Sequence, residues 1–206
     1  RETLRFFCVD FPIEISTFSD IPRNTGLGSS SAFCVGLVHA LYALQGSYAT
    51  KHTIASVAAQ IEVDILKRTM GKQDHFAAAY GDLNVFTFNS DESTIIEPVF
   101  YTSEIKEKLE ANLLLFYTDL KRDASKVLET QEKATEHKRF VLKKMSELVV
   151  PLREVLSGEE NLRKFGEILH EGWLLKKSIT GEISNSMIDG YYRTATKWSV
   201  TTSRHI

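Results

Sequence analysis

Between residues 22 and 32 the chain reads Pro22-Arg23-Asn24-Thr25-Gly26-Leu27-Gly28-Ser29-Ser30-Ser31-Ala32. A strand-like run precedes this segment, and an apolar run rich in small residues, Ala32 to Leu44, comes after it. Ser29, Ser30 and Ser31 stand where helix N-cap residues belong. A strand, a glycine–serine loop and a helix start, in that order, can build an anion site. Glycine lets the backbone approach an anion and turn its N–H groups inward. The helix start adds unpaired N–H donors and the positive end of a dipole. Serine hydroxyls can bond phosphate oxygens or a metal. The spacing leaves two readings open: a phosphate loop, or a Gly/Ser turn into a well-capped helix. It is not a Walker A loop, because no Lys-Ser/Thr comes after the second glycine. It is not a nucleophile elbow either, because Gly-x-Ser-x-Gly is absent.

The rest of the chain supplies enough apolar material to fold around such a loop. With 206 residues, 43% of them hydrophobic, it can form one large domain or two small ones with a real core. The net charge of −2 lowers the case for a bulk nucleic-acid binder. No apolar run reaches the roughly eighteen residues of a membrane span. The opening Arg1-Glu2-Thr3-Leu4-Arg5 has no signal-peptide character. Cys8 and Cys34 lie in no metal or disulfide pattern, which fits a reducing, cytoplasmic setting.

Periodicity predicts an α+β chain. Residues 4–18 read as β, with a turn or edge at Pro12. Helices are expected over 32–44, ending at Gly46, and over 52–67, where Ile54, Val57, Ala58, Ile61 and Ile65 form a stripe. A short helix over 76–80 precedes a strand over 83–88 and a hairpin partner at 94–96. Asn112 to Tyr117 reads as one buried strand. Most of the chain beyond it is expected to be helical, with a break at Pro151. Leu162, Phe165, Leu169 and Trp173 mark a further helix. A boundary is expected near 98, giving domains over 1–98 and 99–206.

A second segment bears chemistry: Ile61-Glu62-Val63-Asp64, then Gly71-Lys72-Gln73-Asp74-His75-Phe76. An acid in a glycine-flanked turn can orient or accept a hydroxyl proton. An acid on the preceding helix can help hold Mg²⁺, which takes hard oxygen ligands. Taken singly, Asp74 reads as a helix N-cap and Glu62 as a surface residue.

Together the two segments resemble the GHMP kinases, the family of galactokinase, homoserine kinase and mevalonate kinase. The matches Arg1 to Phe6, Gly26 to Phe33, Gly71 to Gly81, Leu83-Asn84, Arg122-Asp123-Ala124-Ser125 and His170-Glu171-Gly172-Trp173-x2-Lys176-Lys177 look like its D-glycero-D-manno-heptose 7-phosphate kinase branch. The resemblance implies a ribosomal-protein-S5-like N-terminal part and a helical/sheet C-terminal part. It implies ATP and Mg²⁺ as cofactors and a sugar phosphate as the acceptor. Pro22, Gly26, Leu27, Gly28, Ser29, Ser30 and Ser31 would line the ATP phosphates. Ser30 and Glu62 would hold Mg²⁺, and Asp74 would be the catalytic aspartate facing the anomeric hydroxyl. From charge, Lys72 and Arg122 are candidate contacts to the acceptor's existing phosphate, with a solvated surface role as the alternative. His75 stands where the family often has Gln or Asn and is given no chemistry. Departures accompany the likeness. The family's first motif and its glycine-rich third motif are not found, and Asp82 and Asp119 stand where glycine is expected. The chain therefore reads as a kinase truncated at both ends. The alternatives are an inactive fragment that at most binds nucleotide, or a kinase for another sugar such as galactose or fucose. No nucleic-acid or membrane partner is expected.

Overall fold

The computed structural model describes residues 1–20, 26–116, 138–158, 161–181 and 183–202. They fall into two compact units, Arg1–Phe100 and the described residues from Tyr101 onward. The chain mixes helices with one small sheet, as the α+β reading expects.

The first unit contains α1 (Glu2–Phe6), α2 (Ser29–Leu44) and α3 (Lys51–Ala59). The helix of α3 widens into a π-helical turn, Gln60–Ile65, before α4 (Gln73–Tyr80) and the strands β1 (Asn84–Phe88) and β2 (Thr94–Pro98). Cys34, Val35, Val38 and Leu41 lie on one face of α2 and pack with Phe7, Ile54, Ala58 and Ile61 into the core. The Phe7 ring meets Tyr42 edge-on with centroids 4.9 Å apart. Gly46 stops α2 as expected. It adopts φ +66°, a left-handed conformation natural to glycine. Its N–H donates to the Ala43 carbonyl at 3.0 Å, and the Ser47 N–H donates to that of Tyr42 at 2.9 Å. Thr50 caps α3 by accepting the Thr53 N–H at 3.1 Å.

A second apolar cluster surrounds Phe76 on α4. The rings of His52, Tyr80, Phe86 and Phe88 lie 5.5, 6.4, 6.4 and 5.8 Å from it. The expected hairpin is present: β1 and β2 are antiparallel, with Asn84 opposite Pro98 and Phe88 opposite Thr94. Asp82 adopts φ +57° just after Gly81 at +66°, which gives a physical reason to expect glycine there.

The β reading of residues 4–18 is not met. The segment starts within α1, where Arg5 pairs with Glu2 one turn earlier at 2.9 Å and Thr3 and Phe7 are buried. Ile13 to Phe18 are exposed and lack regular structure. Alternating β-branched residues make a strand only beside a ladder partner, and none is present among the described residues.

The second unit contains α5 (Ser103–Asn112), α6 (Arg139–Glu147), α7 (Val149–Ser157), α8 (Leu162–Lys177) and α9 (Ser186–Thr202). Val155, Leu156, Ile168, Ile179 and Ile183 are its buried apolar residues. The break forecast from Pro151 falls at Leu148, and the proline sits in the first turn of α7, where its missing N–H is not needed. Asn161 caps α8 by accepting the Arg163 N–H at 2.9 Å. The buried strand expected over 112–117 is not seen. Asn112 closes α5, and Leu113, Leu114, Leu115 and Phe116 are exposed without regular structure. Tyr117 lies outside the described residues. An apolar run becomes a buried strand only when neighbours pair with it and cover it, and no described element does so. Among the described residues no helix is long and apolar enough to cross a membrane.

Candidate active site

The glycine–serine loop becomes a left-handed entry into α2. Gly26 and Gly28 adopt φ +78° and +69°, and Gly28 is the N-cap. An L-residue in that conformation costs roughly 1–2 kcal/mol, so both glycines are the fitting residues. In the first turn of α2, the N–H groups of Ser29, Ser30 and Ser31 have no helical acceptor. Leu27 is exposed beside them. Ser31 is fully buried, and its hydroxyl has no partner among the described residues. Pro22 lies outside the described residues.

Ser30 and Glu62, distant in sequence, are joined directly. The Ser30 Oγ–H donates to Glu62 Oε1 at 2.5 Å. Glu62 is not the surface residue that its sequence context suggests: it is 3% exposed. The π-helical turn is the local cause. The Leu66 N–H reaches the Ile61 carbonyl at 2.9 Å, five residues back, and the Arg68 N–H reaches that of Glu62 at 3.0 Å. The wider turn shifts the phase of the side chains, so Ile61 and Glu62 are both buried.

Two further residues complete the cluster. Arg68 Nη1 donates to both Ser30 Oγ and Glu62 Oε1, at 2.6 Å each. His75 Nε2 donates to Glu62 Oε2 at 2.9 Å, the carboxylate assigning the proton to that nitrogen. His75 Nδ1 has no partner among the described residues. Burial alone would raise the Glu62 pKa. Hydrogen bonds from His75 and Ser30 and the Arg68 charge outweigh it and hold the carboxyl below its ordinary value. Cys34 lies in the same neighbourhood. Burial and the Glu62 charge, partly offset by Arg68, push its thiol up to about 11.

Asp74 sits in the first turn of α4, but it is not the N-cap. Lys72 holds that position and makes no side-chain cap. Asp74 is exposed and borders the loop: a β-carbon built on Gly28 would lie 3.3 Å from Asp74 Oδ2. Lys72 Nζ is held by the Glu92 carboxylate in the hairpin turn. Arg122 lies outside the described residues.

The fold thus brings the glycine loop, the Ser30–Glu62 pair and Asp74 together within the first unit. Sequence reasoning missed Arg68 and gave His75 no role. The signal for His75 was its place beside Asp74, one residue further into the same turn. Arg68 could be found only by knowing the phase of the π turn. A Mg²⁺ ion suits this donor set. Two hard oxygens meet at 2.5 Å, and a cationic guanidinium already sits against both. Magnesium uses few protein ligands and keeps water and phosphate oxygens for the rest of its shell.

Residues 1–82 match the GHMP kinases N terminal domain. The chain is 28% identical over 183 residues to D-glycero-alpha-D-manno-heptose 7-phosphate kinase of Campylobacter jejuni, covering 88% of this chain and 54% of that protein. It is 24% identical over 196 residues to the bifunctional fucokinase/GDP-fucose pyrophosphorylase of Arabidopsis thaliana, covering 91% of this chain and 18% of the relative. The crystal structure of a D-glycero-D-manno-heptose 1-phosphate kinase from Bacteriodes thetaiotaomicron superposes with a TM-score of 0.65 at 24% identity, over 85% of this chain and 52% of that one. The chain therefore spans about half the length, or less, of these relatives. The match to the GHMP kinases N terminal domain takes in the first 82 residues, the part of the chain that holds the glycine loop, Glu62 and Asp74.

Proposed function

We propose that this chain carries the phosphoryl-transfer site of an ATP-dependent sugar kinase. Its acceptor is the anomeric hydroxyl of D-glycero-D-manno-heptose 7-phosphate, and its product serves the synthesis of nucleotide-activated heptose. The observation that carries the reading is the meeting of three groups: Gly28 borders Asp74 while Ser30 bonds Glu62. Phosphoryl transfer needs mostly positioning and charge neutralisation, so a small set of groups suffices. The N–H groups of Ser29, Ser30 and Ser31, with Gly26 and Gly28 allowing close approach, cradle the ATP phosphates. Ser30 and Glu62 hold Mg²⁺, which when bound neutralises phosphate charge. Asp74 orients the acceptor hydroxyl and takes its proton as the hydroxyl oxygen bonds the γ-phosphorus of ATP and the P–O bond to the departing ADP breaks. Its exposure leaves room for an acceptor on the solvent side of the loop.

A neutral sugar acceptor is the second reading, and one observation favours it. Lys72, a candidate contact for the acceptor's phosphate, is held by Glu92. The fucokinase relative points the same way. Release of ADP by the full chain with Mg·ATP, measured against heptose 7-phosphate, fucose and galactose, separates the readings. Turnover is expected with heptose 7-phosphate and not with the neutral sugars. Turnover confined to fucose or galactose overturns the acceptor assignment. Binding of Mg·ATP with no turnover on any sugar identifies a nucleotide-binding unit rather than a kinase.

A further inference from the structure

The guanidinium of Arg68 stands where the site expects a metal. One nitrogen, Nη1, lies 2.6 Å from Ser30 Oγ and 2.6 Å from Glu62 Oε1. These are the two oxygens assigned to Mg²⁺. The side chain is 49% exposed, while the Glu62 side chain it reaches is 4% exposed. The cation thus comes in from solvent and closes over a buried anion. Its backbone is fixed separately, because the Arg68 N–H donates to the Glu62 carbonyl at 3.0 Å. The preceding Lys67 adopts φ +51°, which ends the π turn and aims Arg68 back toward Glu62. The guanidinium can therefore leave by rotating its own side chain, without moving the core helices.

We propose that Arg68 is a built-in counter-cation of the metal pocket, exchanged for the divalent ion when Mg·nucleotide binds. The proposal rests on the reading of Ser30 and Glu62 as metal ligands. Its physical basis is charge. A carboxylate buried to this degree is costly without a partner. His75 bonds only the other oxygen, Oε2. With no metal, Arg68 supplies the positive charge that Oε1 and the serine hydroxyl face. A divalent ion on the same two oxygens would lie within a few ångströms of the guanidinium, and two cations at that distance in a half-buried site repel strongly. Arg68 and the metal therefore exclude each other. Arg68 thereby stabilises the metal-free protein, and it weakens divalent-ion binding by the work needed to expel it.

The test uses the full chain, with Mn²⁺ as the metal probe at saturating ADP. Its readouts are Mn²⁺ affinity by titration and thermal melting without metal. In Arg68→Gln the expected result is a lower melting temperature without metal and an apparent Mn²⁺ affinity raised about tenfold. An Mn²⁺ affinity unchanged or weakened in Arg68→Gln overturns the proposal, because a residue that only positions the pocket or binds phosphate would give that result. Glu62→Gln, measured alongside, tests the underlying reading. If it keeps the wild-type Mn²⁺ affinity, the metal is held elsewhere, and both ideas fail together. If it weakens Mn²⁺ binding while Arg68→Gln does not strengthen it, only the exchange fails. Should Arg68→Gln not fold, Arg68→Lys serves instead. It keeps a cation on a flexible stem, so it must bind Mn²⁺ no more than about threefold differently from wild type, while Arg68→Met, which has no charge, must bind it more tightly for the proposal to stand.

Discussion

Glu62 shows how a buried acid is kept ionised. Its two oxygens accept from Ser30 at the start of α2, from Arg68 beyond the π turn and from His75 on α4, so three segments converge on one carboxylate. That convergence has a consequence for Cys34, the thiol that Glu62 and burial together keep protonated. Up to its ordinary value of 9.0, the thiol is mostly protonated in both the folded and the unfolded chain. Between 9.0 and about 11 the unfolded chain loses this proton while the folded one retains it. The native state then binds more protons, so stability falls as pH rises through that window, by on the order of 2 kcal/mol at its top. Urea midpoints measured across this range are expected to fall more steeply in wild type than in Cys34→Ala. Equal slopes would show that the buried thiol contributes nothing. The same geometry decides how much of the site could be read from the sequence. Gly28, Ser30 and Asp74 lie in short local motifs that, read singly, leave a capped turn as open as a phosphate site, and their roles come from the family resemblance of the two motifs together. Arg68 lies in no such motif, because its role depends on an extra residue in one helical turn and on a hydroxyl from another helix.

The helices and the hairpin were legible because their signals are local. The stripe of Ile54, Val57, Ala58 and Ile61 needs only the helical period, and Gly46 and Pro151 mark ends through their own backbone restrictions. The two misread β segments, 4–18 and 112–117, share a different cause. Each is apolar enough for a strand, but a strand is a property of pairs, and no described residue pairs with either. The aromatic cluster on α4 is the element-level feature with the clearest energetic consequence. Phe76 is 2% exposed and touches rings from α3, α4 and both aromatic positions of β1 that face it. Phe76→Ala removes that shared centre and leaves a cavity, at an expected cost of about 3–5 kcal/mol in urea unfolding. Because α4 also carries Asp74 and His75, the same variant is expected to loosen the candidate site. A loss well under 1 kcal/mol would mean that the hairpin and α4 are held by something else.

Taken whole, the molecule places its candidate chemistry in the first of its two units, with every described site residue between Gly26 and His75. The match to the GHMP kinases N terminal domain falls in the same unit, over residues 1–82. The second unit is helical in its described part and holds none of these groups. The central claim is therefore that loop, metal pair and aspartate act as one reaction centre. Steady-state ADP release by the full chain, with Mg·ATP and heptose 7-phosphate, decides this when wild type is compared with Asp74→Asn. With Asp74 in its proposed role of taking the acceptor proton, a fall of about 10²–10⁴-fold in turnover is expected, with melting temperature and nucleotide affinity retained. Turnover undiminished in Asp74→Asn would contradict that claim.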